Sequence, residues 1–248
     1  MDNFRFGFDH IDNNLQFTNT DFIVLGQVAG MGFELLLLNS FFRVDSSICY
    51  ICTENKQYHL ESNFKYLKKS FTDETSIYYL GGNEKLTLNH SKIYSLELPT
   101  IIELIEFIYQ RETYFDYFII DNLSYIGNNT NNLFNPDKNY QIILRHLKIL
   151  NSSLKKNIVV LANFDQAILK NQNLNKGKYG YYHHYASKEK YIDYLITLYR
   201  PEYYGLKKNV YKKKYKKGYT LLNIGKTKQH LSKYEYSLIY NSNSFVFL

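Results

Sequence analysis

Four short apolar runs constrain this chain more than any other feature. Residues 21–26, 47–53, 117–121 and 157–162 are built inside from Phe, Ile, Val, Leu, Tyr and Cys, with polar or small residues only at their ends and no regular polar alternation. Strands that are apolar on both sides belong in the interior of a parallel sheet, with both faces covered. The intervening segments supply the cover. Residues 33–42 read as an apolar helix and 55–68 as a surface helix of mixed polarity. Residues 100–110 carry Ile101, Leu104, Ile105 and Ile108 at helical spacing, and 139–154 form an amphipathic helix. Residues 92–96 make a short strand. Residues 194–199 and 219–224 make later ones, and 236–240 with 245–248 a terminal hairpin. The expected class is α/β, with a mainly parallel central sheet flanked by helices and a C-terminal hairpin. No internal repeat and no Pro/Gly/Ser linker divides the 248 residues, so one domain, 1–248, is expected.

Composition narrows the function classes modestly. A net charge of +7 favours a polyanionic partner. The 26 tyrosines and 17 phenylalanines fit either codon bias toward A·T or an aromatic nucleic-acid surface. No apolar run reaches the ~20 residues of a membrane span, and Met1 to Arg5 lack a secretory n-region, so a cytoplasmic protein without membrane partners is expected. Cys49 and Cys52 lie three apart on one strand, so their sulfurs face opposite ways, and no second pair completes a zinc site. They read as core cysteines.

Ligands of an open parallel sheet bind beyond the carboxyl ends of its strands. Four such ends carry chemistry here. Gly26 to Glu34, with Gly30 and Gly32, is a glycine-rich turn into a helix, which exposes backbone N–H groups to phosphate. Glu54 follows the second strand, Asp121 ends the 117–121 strand, and Asn163 follows 157–162. Singly, these residues make turns and caps as often as sites.

In this order they resemble the RecA-like P-loop motor domain of DnaB-type replicative helicases, nearly end to end. Gly7 to Asp12 is similar to the family's opening segment, and Thr20 to Gly32 to its first strand and P-loop. Thr53-Glu54-Asn55 falls at its catalytic glutamate, and Phe118 to Leu123 at its Walker B strand. Leu198-Tyr199-Arg200-Pro201-Glu202-Tyr203-Tyr204 is the most specific match. Gly225-Lys226-Thr227-Lys228 falls where the family reaches a neighbouring subunit's nucleotide. No counterpart of the family's N-terminal collar is expected.

The departures from that pattern carry the functional expectation. Phe33 and Glu34 stand where a P-loop has Lys and Ser/Thr. A carboxylate ~4 Å from a phosphate oxygen costs about 4 kcal/mol at an effective dielectric of ~20. Gln27 replaces the first glycine, Asn163 the sensor glutamine and Lys228 the arginine finger, and lysine lacks the fork that grips a phosphate. The resemblance therefore implies a pseudo-ATPase that keeps the acids Glu54 and Asp121. Its nucleotide site (Gly30, Gly32, Phe33, Glu34, Asn163, Lys226, Lys228) is degenerate, and ATP and magnesium are cofactors only if the divergent loop works.

The stretches 127–138 and 166–190 match loops that face a DNA channel. The second holds Lys170, Lys176 and Lys178 among tyrosines, which suits single-stranded DNA or a solvated loop equally. Lys207, Lys208, Lys212, Lys213 and Lys214 form the densest basic run, either solvated surface or a salt-sensitive DNA contact. The implied partners are DNA and helicase-like subunits, including further copies of the chain. Two alternatives stand beside this module: a DNA-stimulated ATPase or helicase with an unorthodox loop, and a protein that caps, loads or inhibits a helicase.

Overall fold

The structure, a computed structural model, describes residues 3–27, 32–41, 44, 46–54, 60, 62–63, 92–127, 136–163, 190–204, 214, 216–227, 231–241 and 246–247. Among them, nine strands join in one sheet. They are β1 (Phe22–Gln27), β2 (Ile48–Cys52), β3 (Lys92–Ser95), β4 (Tyr117–Asp121), β5 (Ile158–Asn163), β6 (Tyr194–Tyr199), β7 (Tyr219–Lys226), β8 (Leu231–Asn241) and β9 (Val246–Phe247). Their spatial order is β3-β2-β4-β5-β1-β6-β7-β8-β9. Every pairing from β3 to β6 is parallel, and the pairings from β6 to β9 are antiparallel. The four apolar runs become β2, β4, β5 and β1, adjacent in the sheet and buried.

Alternation along these strands feeds two cores. Ile23, Leu25, Tyr50, Tyr117, Ile119, Val159 and Leu161 face one side, where helix α2 (Phe33–Phe41) packs. The amino-terminal segment joins that core through Phe4, Phe6 and Phe17. Phe4 meets Tyr117 edge-on, with ring centroids 5.4 Å apart. Asp12, in the single-turn helix α1 (Asp9–Asp12), holds this segment in shape by accepting from the N–H groups of Phe6, Gly7 and Phe8.

Phe22, Val24, Phe118, Ile120, Ile158 and Val160 face the other side, under α3 (Ile101–Tyr109) and α4 (Pro136–Leu154). Ile101, Leu104 and Ile108 are buried at the expected spacing, and Ile105 packs against them half-buried. Thr100 begins α3 with a capping box. Its hydroxyl accepts from the Glu103 N–H while the Glu103 carboxylate accepts from the Thr100 N–H. Cys49 lies in the α3/α4 core and Cys52 in the α2 core, so the two thiols do lie on opposite faces.

Three elements run longer than periodicity predicts, one of them β7, which reaches Lys226. α4 begins at Pro136, and β8 spans Leu231–Asn241 because pairing with β7 carries it past its apolar stretch. The expected terminal hairpin is β8–β9, with Tyr240 opposite Phe247. Of the helix expected over 55–68, Leu60, Ser62 and Asn63 are described, and all three are helical. No described helix is long and apolar enough to cross a membrane.

Candidate nucleotide site

The sheet brings its chemistry together at the carboxyl ends of the parallel strands, on the α2 face. The parity that buries Ile23 and Leu25 against α2 continues to Gln27. It likewise leads from Ile119 to Asp121, from Leu161 to Asn163, from Cys52 to Glu54 and from Leu198 to Arg200. Register sets several of these side by side. Gln27 pairs with Asn163 between β1 and β5, and Asp121 with Cys52 between β4 and β2.

Gly32 precedes α2 with φ +97°, a left-handed conformation that a side chain disfavours. The first turn that follows is already engaged. The Phe33 N–H donates to the Gln27 carboxamide oxygen at 2.8 Å, and the Gln27 amide nitrogen donates to Glu34 Oε2 at 3.0 Å. Phe33 itself is buried in the α2 core. Its ring therefore points into the hydrophobic layer.

The acidic side of the site is also engaged. Tyr50, fully buried on β2, donates its hydroxyl to Asp121 Oδ2 at 2.7 Å. Burial raises the Tyr50 phenol well above its ordinary range. The Asp121 charge, the hydrogen bond to it and the Glu34 charge raise it further, so the group stays a neutral donor. Glu54 Oε1 accepts from the Tyr125 hydroxyl at 3.0 Å, and the Cys52 thiol approaches the Glu54 carbonyl at 2.9 Å. Thr53 braces the adjoining turn, its hydroxyl accepting from the Asn122 N–H and donating to the Asn122 carbonyl. Asn163 Oδ1 is buried, with no hydrogen-bond partner among the described residues.

A cation stands beside Gly32. Arg200, nearly buried after β6, pairs with Glu202 and stacks its guanidinium 4.5 Å from the Tyr240 ring centroid. Its Nη1 lies 3.7 Å from where a Cβ on Gly32 would sit. Among the described residues, no three His, Cys, Asp or Glu side chains are arranged to hold a metal ion.

Comparison with known proteins places this geometry. The chain superposes over 100% of its length on a solved structure of a DnaB-like replicative helicase and its interactions with primase, with TM-score 0.72 and 15% identity. It covers 63% of that chain, so it spans less than two thirds of the helicase's length. A second solved structure, an ATPase domain, matches over 98% of this chain and 90% of its own, with TM-score 0.71 and 16% identity. The fold is the RecA-like fold that the chain shares with these two structures. At the level of sequence, no family profile and no curated protein matches the chain.

Within this helicase-type fold the expected residues separate into three groups. Gly32, Phe33, Glu34, Glu54, Asp121 and Asn163 gather at one end of the sheet. Lys226 does not join them. It pairs with Leu195 at the start of β6, five residues from Arg200, which at ~3.3 Å per residue is roughly 17 Å along the strand. Lys214 is exposed, near the amino end of β7. Gly30, Lys170, Lys176, Lys178, Lys207, Lys208, Lys212, Lys213 and Lys228 lie outside the described residues, as do most of the stretches 127–138 and 166–190.

Sequence reasoning passed over Tyr50, Tyr125 and Arg200 as site residues. Tyr50 had one available signal. It is the sole hydroxyl-bearing side chain among Ile48-Cys49-Tyr50-Ile51-Cys52, and it shares strand parity with Glu54.

Proposed function

We propose that this chain is a helicase-like module that acts on DNA or within a helicase-like assembly and does not hydrolyse ATP. One observation carries the reading. The helix turn that would cradle a phosphate has its Phe33 N–H taken by Gln27 and carries the Glu34 carboxylate beside it. A P-loop needs free N–H groups, a lysine and a magnesium-ligating hydroxyl there. Phe33 supplies no charge and Glu34 the wrong one, so a magnesium triphosphate does not fit these residues in the usual pose. The module then works through its shape and surfaces. The net charge of +7 and the lysine-rich stretches around 170–178 and 207–214 favour single-stranded DNA. The similar helicase whose structure includes interactions with primase makes a protein assembly the natural setting.

The test is ATP binding and hydrolysis by the purified chain, with and without single-stranded DNA. The expected result is no turnover in either condition, together with DNA binding that weakens steeply as salt rises. Turnover that Glu54→Gln abolishes would overturn the reading.

Arg200 favours one alternative, a divergent motor. Its guanidinium beside Gly32 brings to the loop the positive charge that Phe33 does not. That reading expects DNA-stimulated hydrolysis, lost in both Arg200→Ala and Glu54→Gln.

A further inference from the structure

We infer that the nucleotide site is closed from within: Gln27 and Tyr50 make the contacts that a phosphate and its metal ion make elsewhere. This inference rests on the reading above and deepens it by naming the residues that hold the site shut.

Gln27 meets both requirements of an internal occupant. Its carboxamide is neutral and two-ended, and it lies between groups of opposite demand. The oxygen accepts from the Phe33 N–H, at the positive end of the α2 dipole where a phosphate oxygen would be stabilised. The nitrogen donates to Glu34, the carboxylate that would repel that phosphate. A glycine at position 27 would leave both groups unanswered. Gln27 is itself nearly buried at the end of β1, so its amide is held in place.

Tyr50 does the same for the acid that would take the metal. Removed from water, an Asp121 carboxylate needs a cation or hydrogen-bond donors. The Tyr50 hydroxyl supplies a donor at 2.7 Å. It reaches there because Tyr50 and Asp121 sit on neighbouring paired strands with both side chains on the α2 face. Together the two contacts tie β1 to α2 and add a side-chain link between β2 and β4, which already pair through their backbones. The site thus becomes a permanent brace, and substitution of Phe33 and Glu34 alone leaves it shut.

The experiment measures binding of ATP with magnesium by calorimetry on the full chain in three forms. These are wild type, Phe33→Lys/Glu34→Thr, and that pair combined with Gln27→Gly and Tyr50→Phe. The expected result is no detectable binding by the first two forms and measurable binding by the third, with a Kd at least about tenfold below the detection limit set for the others, one tenfold step being what a single net hydrogen bond contributes. Equal binding by the second and third forms, or none by a folded third form, overturns the inference. Binding and turnover by wild type would instead overturn the pseudo-ATPase reading. A second measurement holds if the combined variant does not fold. In the single variant Gln27→Ala, exchange of the Phe33 amide hydrogen should accelerate about tenfold. Unchanged exchange shows that Gln27 does not occupy the helix turn and sinks the idea.

Discussion

The two faces of the sheet draw on the same strands, yet they end differently. Under α3 and α4 the side chains of β1, β2, β4 and β5 stay apolar toward the carboxyl ends: Val24, Ile51, Ile120 and Ala162 are all buried in one hydrophobic layer. Under α2 the layer is aromatic at the amino ends, around Phe4, Phe6, Phe17 and Tyr117, and polar at the carboxyl ends, at Gln27, Glu54, Asp121 and Asn163. The first face has only to hold the sheet together. The second holds it and also spends buried volume on polar groups that must find partners. This division gathers the polar strand ends of β1, β4 and β5 on one face and leaves the same strands a plain apolar core on the other.

Substitutions can break that comparison. The largest effect should come from the apolar face. Phe118→Ala removes a fully buried ring beside Phe115 and should cost about 3–5 kcal/mol, read as a lower urea midpoint, whereas Glu34→Gln on the other face should stay within about 1 kcal/mol. Similar losses at both positions would dissolve the distinction.

Tyr50→Phe tests the polar end more sharply, because it leaves a buried Asp121 oxygen without this donor, at a cost of about 1–3 kcal/mol near neutral pH. The effect has a pH signature. The folded phenol is raised above its ordinary value of 10.0, so its contribution is full below that pH and fades as pH rises through the folded value. Tyr94, Tyr194 and Tyr236 are raised as well, so the wild type's alkaline loss is shared among them. The gap between wild type and Tyr50→Phe, followed by thermal midpoint, should therefore narrow above about pH 10. A gap that stays constant would mean that Tyr50 acts only by packing.

The smallest change concerns the start of α3. Thr100→Ala removes the capping hydroxyl and should lower stability by about 1 kcal/mol. The Thr100 N–H and hydroxyl hold the Glu103 carboxyl below its usual range, so the contribution of that group is present above its unfolded value of 4.5 and lost as pH falls through the folded one. Denaturant titrations at neutral and acid pH should show the Thr100→Ala deficit shrinking in acid.

Much of this architecture could be read from residues alone. Runs apolar on both sides, such as residues 117–121 and 157–162, admit few places other than the middle of a parallel sheet, and the helical spacing of Ile101, Leu104 and Ile108 admits one buried face. The site was legible in part. Gly32, Glu54, Asp121 and Asn163 follow strands, and strand ends are where such sheets bind ligands. The partners were not legible. Tyr50 reads as one more core aromatic because its hydroxyl matters only once β2 lies beside β4, 71 residues away in the chain. Arg200 reads as part of a strand terminus, since its approach to Gly32 spans β1 and β6.

By itself, then, the sequence determined the alternation of strands and helices, the opposite facing of Cys49 and Cys52, and the set of polar residues at strand ends. Those follow from periodicity, which is local. Only the tertiary structure decided that Gln27 bonds the α2 turn, that Tyr50 bonds Asp121, and that Lys226 lies at the far end of β6 from Arg200. Strand order and register are set by packing the whole sheet between its two helical layers, and no local pattern encodes which strand will be a neighbour.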